Sequence, residues 1–164
     1  IMNQKMLDAF NEQMRREFDS AYIYLAMAAH FDAENLGGMS AWMKAQHGEE
    51  IEHAMKFYGH IVERGGRPVI PGISKTDLKI NKPIDAFEAA LKHEKYITKS
   101  IDELYDLAVK ENDKPAQIFL QWFVEEQVEE EDNVGGVVDT MKMIGDSGQA
   151  LYMLDRQLGQ RGSH

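Results

Sequence analysis

Glu17, Glu50, His53, Glu94 and Glu130 fall where the surrounding apolar spacing requires a hydrophobic residue. One stripe steps through Leu7, Phe10 and Met14, meets Glu17, then resumes at Ala21 and Tyr24. A second runs Met39, Met43 and Gln46, then Glu50 and His53, then Phe57. The third is Phe87 and Ala90, then Glu94, then Ile97 and Ile101. The fourth is Leu120 and Phe123, then Gln127 and Glu130, then Val134 and Val137. An ionised carboxylate in a core costs several kcal/mol even after relaxation. No lysine or arginine occupies a matching position in any stripe. The remaining compensation is a cation, and oxygen donors with one imidazole suit iron, manganese or zinc. Glu50 and His53 are three apart and share a helix face, so both can hold one ion. Carboxylates also bridge. Glu50 is the natural bridge, with Glu17 and His53 on one metal and Glu94 and Glu130 on the other.

Taken singly, each signal is weak. An isolated E-x-x-H is common, and a histidine on an apolar face is usually a satisfied core residue. The acidic run Glu125-Glu126-Gln127-Val128-Glu129-Glu130-Glu131-Asp132 is by type a solvated face. What carries weight is the recurrence of the same interruption in four stripes. Glu49, Glu126 and Glu129 each neighbour one of these residues and, with Glu130, make a candidate third cation site. The alternative is that they simply face solvent. Tyr24 lies two turns beyond Glu17. Its phenol is placed to donate to a ligand carboxylate, to supply an electron, or only to pack. Tyr22 is expected to pack. His30, His47, His60 and His93 match no spacing that meets this layer and are expected at the surface. Trp42 and Trp122 fit a core or an interface.

These residues need elements to position them. The periodicity predicts helices over 4–33, about 40–64, 83–112 and 115–144, with a short fifth over 149–158. Asn35 with Gly37-Gly38 is expected to end the first, and Gly65-Gly66 the second. Met55 is counted in the second inner stripe. Pro83 suits the first turn of the third helix. The stretch from Gly65 to Lys82 holds Pro68, Pro71 and Gly72 and has no helical period. Long helices here span about 37–45 Å, and an extended chain of this length reaches almost 60 Å, or about that. The stretch can therefore climb the bundle and let the second and third helices run parallel. The short turns near 34–38 and 112–115 make antiparallel neighbours. The fold class is all-α: a four-helix bundle with a long crossover between the second and third helices and a short C-terminal fifth helix. Height agrees with face. Glu17 sits about 24 Å before the end of its helix and Glu50 about 18 Å past the start of its own, so both lie near mid-bundle.

Composition narrows the function. Lys+Arg total 18 against Asp+Glu 28, a formal charge of −10, which disfavours binding to a nucleic-acid backbone. The absence of cysteine excludes disulfide scaffolds, thiolate zinc sites and cysteine-ligated clusters. No apolar run approaches a membrane span and the start is no signal peptide, so a cytoplasmic protein without membrane partners is expected. Residues 1–160 read as one domain. Residues 161–164, Arg-Gly-Ser-His, read as a probable tag remnant and Ile1 as a possible artefact. No P-loop, dinucleotide fingerprint or serine elbow occurs.

The chain resembles the bacterial non-haem ferritins over nearly its whole length. The resemblance is carried by Glu17 with Tyr24, by Glu49-Glu50-Ile51-Glu52-His53-Ala54, by Glu94, by Gln127 with Glu130, and by the ending Leu154-Asp155-Arg156-Gln157-Leu158-Gly159. It implies a two-iron ferroxidase centre. Glu17, Glu50 and His53 would hold the first iron, and Glu50, Glu94 and Glu130 the second. Gln127 would lie beside them and Tyr24 next to the pair. Glu49, Glu126, Glu129 and Glu130 match that family's third iron site. It further implies iron(II) oxidation by dioxygen or peroxide, storage of iron(III) mineral, and a hollow homo-oligomer of 24 subunits. Bacterioferritins carry a haem-ligating methionine where this chain has Ile51, and a second E-x-x-H where it has Gln127-Val128-Glu129-Glu130. No haem is therefore expected. Rubrerythrins add a cysteine-bound iron domain, and DNA-binding mini-ferritins place the site between subunits. Gln117 and Leu120 fall near the positions at which many ferritins line three-fold pores. Two other functions compete: a diiron oxidase or peroxidase acting on another small substrate, and a non-enzymatic bundle whose polar layer fixes register.

Overall fold

The computed structural model describes residues 1–163, with side chains described through Arg161. His164 lies outside the described residues. Five α-helices follow in order: α1 (Gln4–Ala33), α2 (Gly37–Glu63), α3 (Pro83–Lys110), α4 (Lys114–Ile144) and α5 (Gly148–Leu158). A short 3₁₀ turn, Gly159–Ser163, closes the described chain. No strand occurs among the described residues. Among the described residues no helix is long and apolar enough to cross a membrane.

Local chemistry sets the boundaries. The Asn3 side chain caps α1 by accepting from the Met6 amide at 2.9 Å. Asn35 and Asn112 adopt positive φ, 57° and 53°, in the tight turns that reverse the chain. These turns make α1–α2 and α3–α4 antiparallel pairs. Pro83 starts α3, and Asp85 accepts from the Asn81 and Lys82 amides just before it. Asp113 caps α4 by accepting from the Ala116 amide. It also takes both prongs of Arg64 at 2.8 and 3.2 Å, tying the end of α2 to the α3–α4 turn. The crossover from Arg64 to Lys82 has no regular structure. Its first part is pinned to α1 by Asn11, which donates to the Arg67 carbonyl and accepts from the Val69 amide.

Gly37-Gly38 starts α2 instead of ending α1. The cause is a cap from a distant element. Asp155 of α5 accepts from the Met39 amide at 2.7 Å, replacing the side-chain cap that Leu36 cannot supply. A Cβ on Gly38 would stand 1.6 Å from the Asp155 carbonyl oxygen. Only glycine lets α5 approach this closely.

The apolar core is in two parts. One, towards the α5 end, gathers Tyr24, Phe31, Met39, Met43, Phe87, Val134 and Leu154 among others. The second gathers Met6, Phe10, Met14, Phe57, Ile61, Ile101, Leu120 and Phe123. Between their positions on α1 to α4 lie the interrupting polar residues. Some stripe assignments differ from expectation. Met55 is 48% exposed, because it lies on the outer side of α2 while Ala54 turns inward. Val138 is buried and Val137 only partly so. Leu120 is fully buried in the core of the bundle. Tyr22 is 44% exposed rather than packed, since Ala21 and Tyr24 take the inward positions.

Candidate metal centre

All four long helices deliver polar side chains to the gap between the two core halves. Glu17 of α1, Glu50 and His53 of α2, Glu94 of α3 and Glu130 of α4 are all at least 97% buried. One donor atom each from Glu17, Glu50 and His53 lie within 4.8 Å of one another. The same holds for Glu50, Glu94 and Glu130, and for His53, Glu126 and Glu130. Glu50 therefore belongs to two donor groups at once, as a bridging ligand must.

The hydrogen bonds aim these donors. His53 Nδ1 lies 3.3 Å from Glu50 Oε2 and 3.8 Å from Glu17 Oε2. Gln13, one turn before Glu17, donates to Glu17 Oε1 at 3.3 Å. Gln46, one turn before Glu50, donates to Glu50 Oε1 at 3.3 Å and also to Glu130 Oε2. Tyr24 donates its hydroxyl proton to Glu94 Oε1 at 2.7 Å. Gln127 donates to Glu94 Oε2 at 3.1 Å. Glu17 Oε2 is buried with no hydrogen-bond partner. A bare buried carboxylate oxygen is costly, and a cation among these donors supplies the missing partner. That fits a metal site better than a self-sufficient polar network.

Electrostatics lead to the same conclusion. Burial, then the charges of Glu17 and Glu94, push Glu50 well above the usual carboxylate range. Burial raises Glu94 too, opposed in part by the bonds from Tyr24 and Gln127. Glu130 is pushed up to about 9 by burial and by the charges of Glu94 and Glu49. Burial alone would lower His53, but the nearby Glu17 carboxylate, with those of Glu130 and Glu126, raises it on balance. Burial and the charges of Glu94 and Glu50 hold Tyr24 far above an ordinary phenol, so it stays a donor. Without a metal, Glu130 holds a proton at neutral pH, and Glu50 and Glu94 hold protons to a higher pH than ordinary carboxylates. A metal ion displaces them, because its ligands bind deprotonated. Carboxylate oxygens with a single imidazole and no sulfur form a hard donor set that suits iron or manganese.

The second acidic group is gathered unevenly. Glu126 is half-buried and its Oε1 lies 4.0 Å from His53 Nε2. Glu49 is half-buried and paired with Arg161 at 3.2 Å. Glu129 is exposed and joins none of the three donor groups. Trp122 stands edge-on to the His53 ring at 5.5 Å, with Phe123 at 5.7 Å.

The spare histidines are not simple surface residues. His60 is buried and stacked on Phe119 at 4.3 Å between centroids. Half-buried His47 and His93 bond to the Ala21 carbonyl and to Ser20 Oγ. Each takes its partner from another helix, which spacing within one helix does not reveal. Gln13, Gln46, Thr98 and Glu131 were not singled out as site residues. A signal for them does exist, since Gln13–Glu17, Gln46–Glu50, Glu94–Thr98 and Gln127–Glu131 are all four apart and share a helix face. Arg161 was set aside with the last residues. It donates to Gln46 Oε1 at 2.8 Å and lies 4.4 Å from the Trp42 ring centroid.

Fold and site together define a four-helix bundle with a buried, carboxylate-rich layer whose donor groups could hold metal ions. A family model for the ferritin-like domain matches residues 7–144. The bacterial non-heme ferritin of Bacteroides fragilis is 39% identical over 161 residues, covering 98% of this chain and all of that protein (100%). The bacterial non-heme ferritin of Staphylococcus saprophyticus is 35% identical, covering 98% of this chain and 96% of that one. Among solved structures, an open pore ferritin from Archaeoglobus fulgidus matches with a TM-score of 0.95 and 41% identity, over 97% of this chain and 98% of that one. A humanized archaeal ferritin matches with a TM-score of 0.95 and 43% identity, over 97% and 96%. The chain belongs to the ferritin-like family, within which it is similar to the bacterial non-haem ferritins.

Proposed function

We propose that this protein stores iron and is itself a ferroxidase, with iron(II) as its substrate. The observation that carries the reading is Glu50, shared between two buried donor groups. Glu17, Glu50 and His53 would bind one iron(II), and Glu50, Glu94 and Glu130 the other. Tyr24 and Gln127 keep both Glu94 oxygens oriented. The oxidant is dioxygen or a peroxide. Two iron(II) ions lose one electron each. Dioxygen takes both electrons with two protons and leaves as hydrogen peroxide, or hydrogen peroxide takes both electrons with two protons and leaves as two waters. Hard carboxylate oxygens favour the iron(III) product. The side chains supply binding, orientation and a dry setting, because the apolar halves of the core flank the layer.

Glu49, Glu126, Glu129 and Glu130 would hold a third iron, a role supported by Glu126 beside His53. Its product would be held as iron(III) mineral inside a hollow shell of 24 copies. Assembly is supported by the likeness to ferritins over nearly the whole chain. The shell would work in the cytoplasm, without haem. The double substitution Glu50→Ala with His53→Ala removes the bridge and the one imidazole. It is expected to abolish the fast phase of aerobic iron(II) oxidation, read by stopped-flow absorbance. Wild-type speed in that variant would refute the site assignment.

A further inference from the structure

The side chains that hold Glu94 continue as a chain beyond the metal layer. Gln127 Nε2, besides its bond to Glu94 Oε2, lies 3.1 Å from Thr98 Oγ1 and 3.2 Å from the Glu94 carbonyl oxygen. Thr98 Oγ1 in turn lies 2.6 Å from Glu131 Oε2 and 3.0 Å from that same Glu94 carbonyl. Counting hydrogens gives the chain a direction. The Thr98 hydroxyl has one hydrogen and two acceptors in reach. The carboxylate is nearer, and carboxylate acceptors make the stronger bond, so Glu131 takes it. The lone pairs of Thr98 then face Gln127. One Gln127 hydrogen goes to Glu94 Oε2, and the other is shared by Thr98 Oγ1 and the Glu94 carbonyl. An amide turned the other way would set its oxygen against the Glu94 carboxylate and leave Thr98 without its donor.

Building on the two-metal function set out above, we propose that Thr98 and Glu131 are positioning residues for the second metal. They lock the Gln127 amide, and through it the Glu94 carboxylate, towards Glu50 and Glu130. Neither touches an ion. Their influence falls on the Glu50–Glu94–Glu130 group and not on the Glu17–Glu50–His53 group, which the chain does not contact. Outer partners of metal ligands commonly change metal affinity by about 10- to 100-fold.

The test is an anaerobic titration with cobalt(II), read by its visible absorption and by calorimetry. Wild-type protein binds in two steps. Thr98→Val removes the hydroxyl at nearly constant volume. It is expected to weaken the second step about tenfold and leave the first unchanged. Thr98→Ser restores the second step, and Glu131→Ala, at a half-buried position, weakens that step alone. If Thr98→Val keeps both wild-type steps, the inference fails while the two-metal reading stands. If both steps weaken together, or serine does not rescue, the threonine only supports the bundle and the inference fails. Wild-type protein that takes fewer than two cobalt ions overturns both.

Discussion

Glu50, Glu94 and Glu130 retain protons in the fold that the unfolded chain gives up. This fixes the sign of a pH effect. Above the ordinary glutamate value of 4.5, and until Glu130 ionises at about 9, the unfolded state binds fewer protons than the native state. Stability of the metal-free protein therefore falls as pH rises through that window. His53 acts in the same direction, because its raised value gives stability that is complete below 6.5 and lost as pH climbs through the folded value. Metal-free protein should show a falling Tm from pH 5 to pH 9, and saturating zinc or cobalt should restore more Tm at the alkaline end. A metal-free Tm that rises across this range would contradict the proton-retaining layer. The candidate ligand residues were legible as buried interruptions, because a carboxylate in an apolar stripe is conspicuous. The amides that aim them were less so. Gln46 sits on a legible helix face, but its bond to Glu130 of α4 depends on how two helices pack.

At the scale of elements, helices and crossover were read from periodicity, Pro83 and the two Asn turns, and their bounds agree to within a few residues. The start of α2 was misplaced, because its cap comes from α5 across 116 positions of chain. That contact can be tested alone. Gly38→Ala puts a Cβ 1.6 Å from the Asp155 carbonyl, so α5 must shift. The expected result is faster proteolysis around 145–148, with far-UV helix content otherwise kept. Asp155→Ala removes only the cap and is expected to cost about 1 kcal/mol, read by denaturant unfolding. If Gly38→Ala resists protease like wild type, α5 does not dock as described. The histidines show the complementary limit. His47 and His93 find partners on neighbouring helices, and no helical spacing encodes that.

For the whole molecule, a bundle that divides its apolar core for a charged layer gives up stability that a continuous core would have supplied. A cation bound in that layer would offset the loss. The formal charge of −10 per chain attracts cations to the surface, and also sets copies against one another at low salt. Exposed apolar side chains on α1, the crossover and α4 are available to offset that repulsion on assembly. The most direct single measurement is a limited pulse of iron(II) added in air to metal-free protein, followed by size exclusion with an iron assay on every fraction. Rapid oxidation, with the iron eluting in a particle near the mass of 24 chains, is the predicted result. Iron that precipitates while the protein elutes as a monomer or dimer would contradict storage.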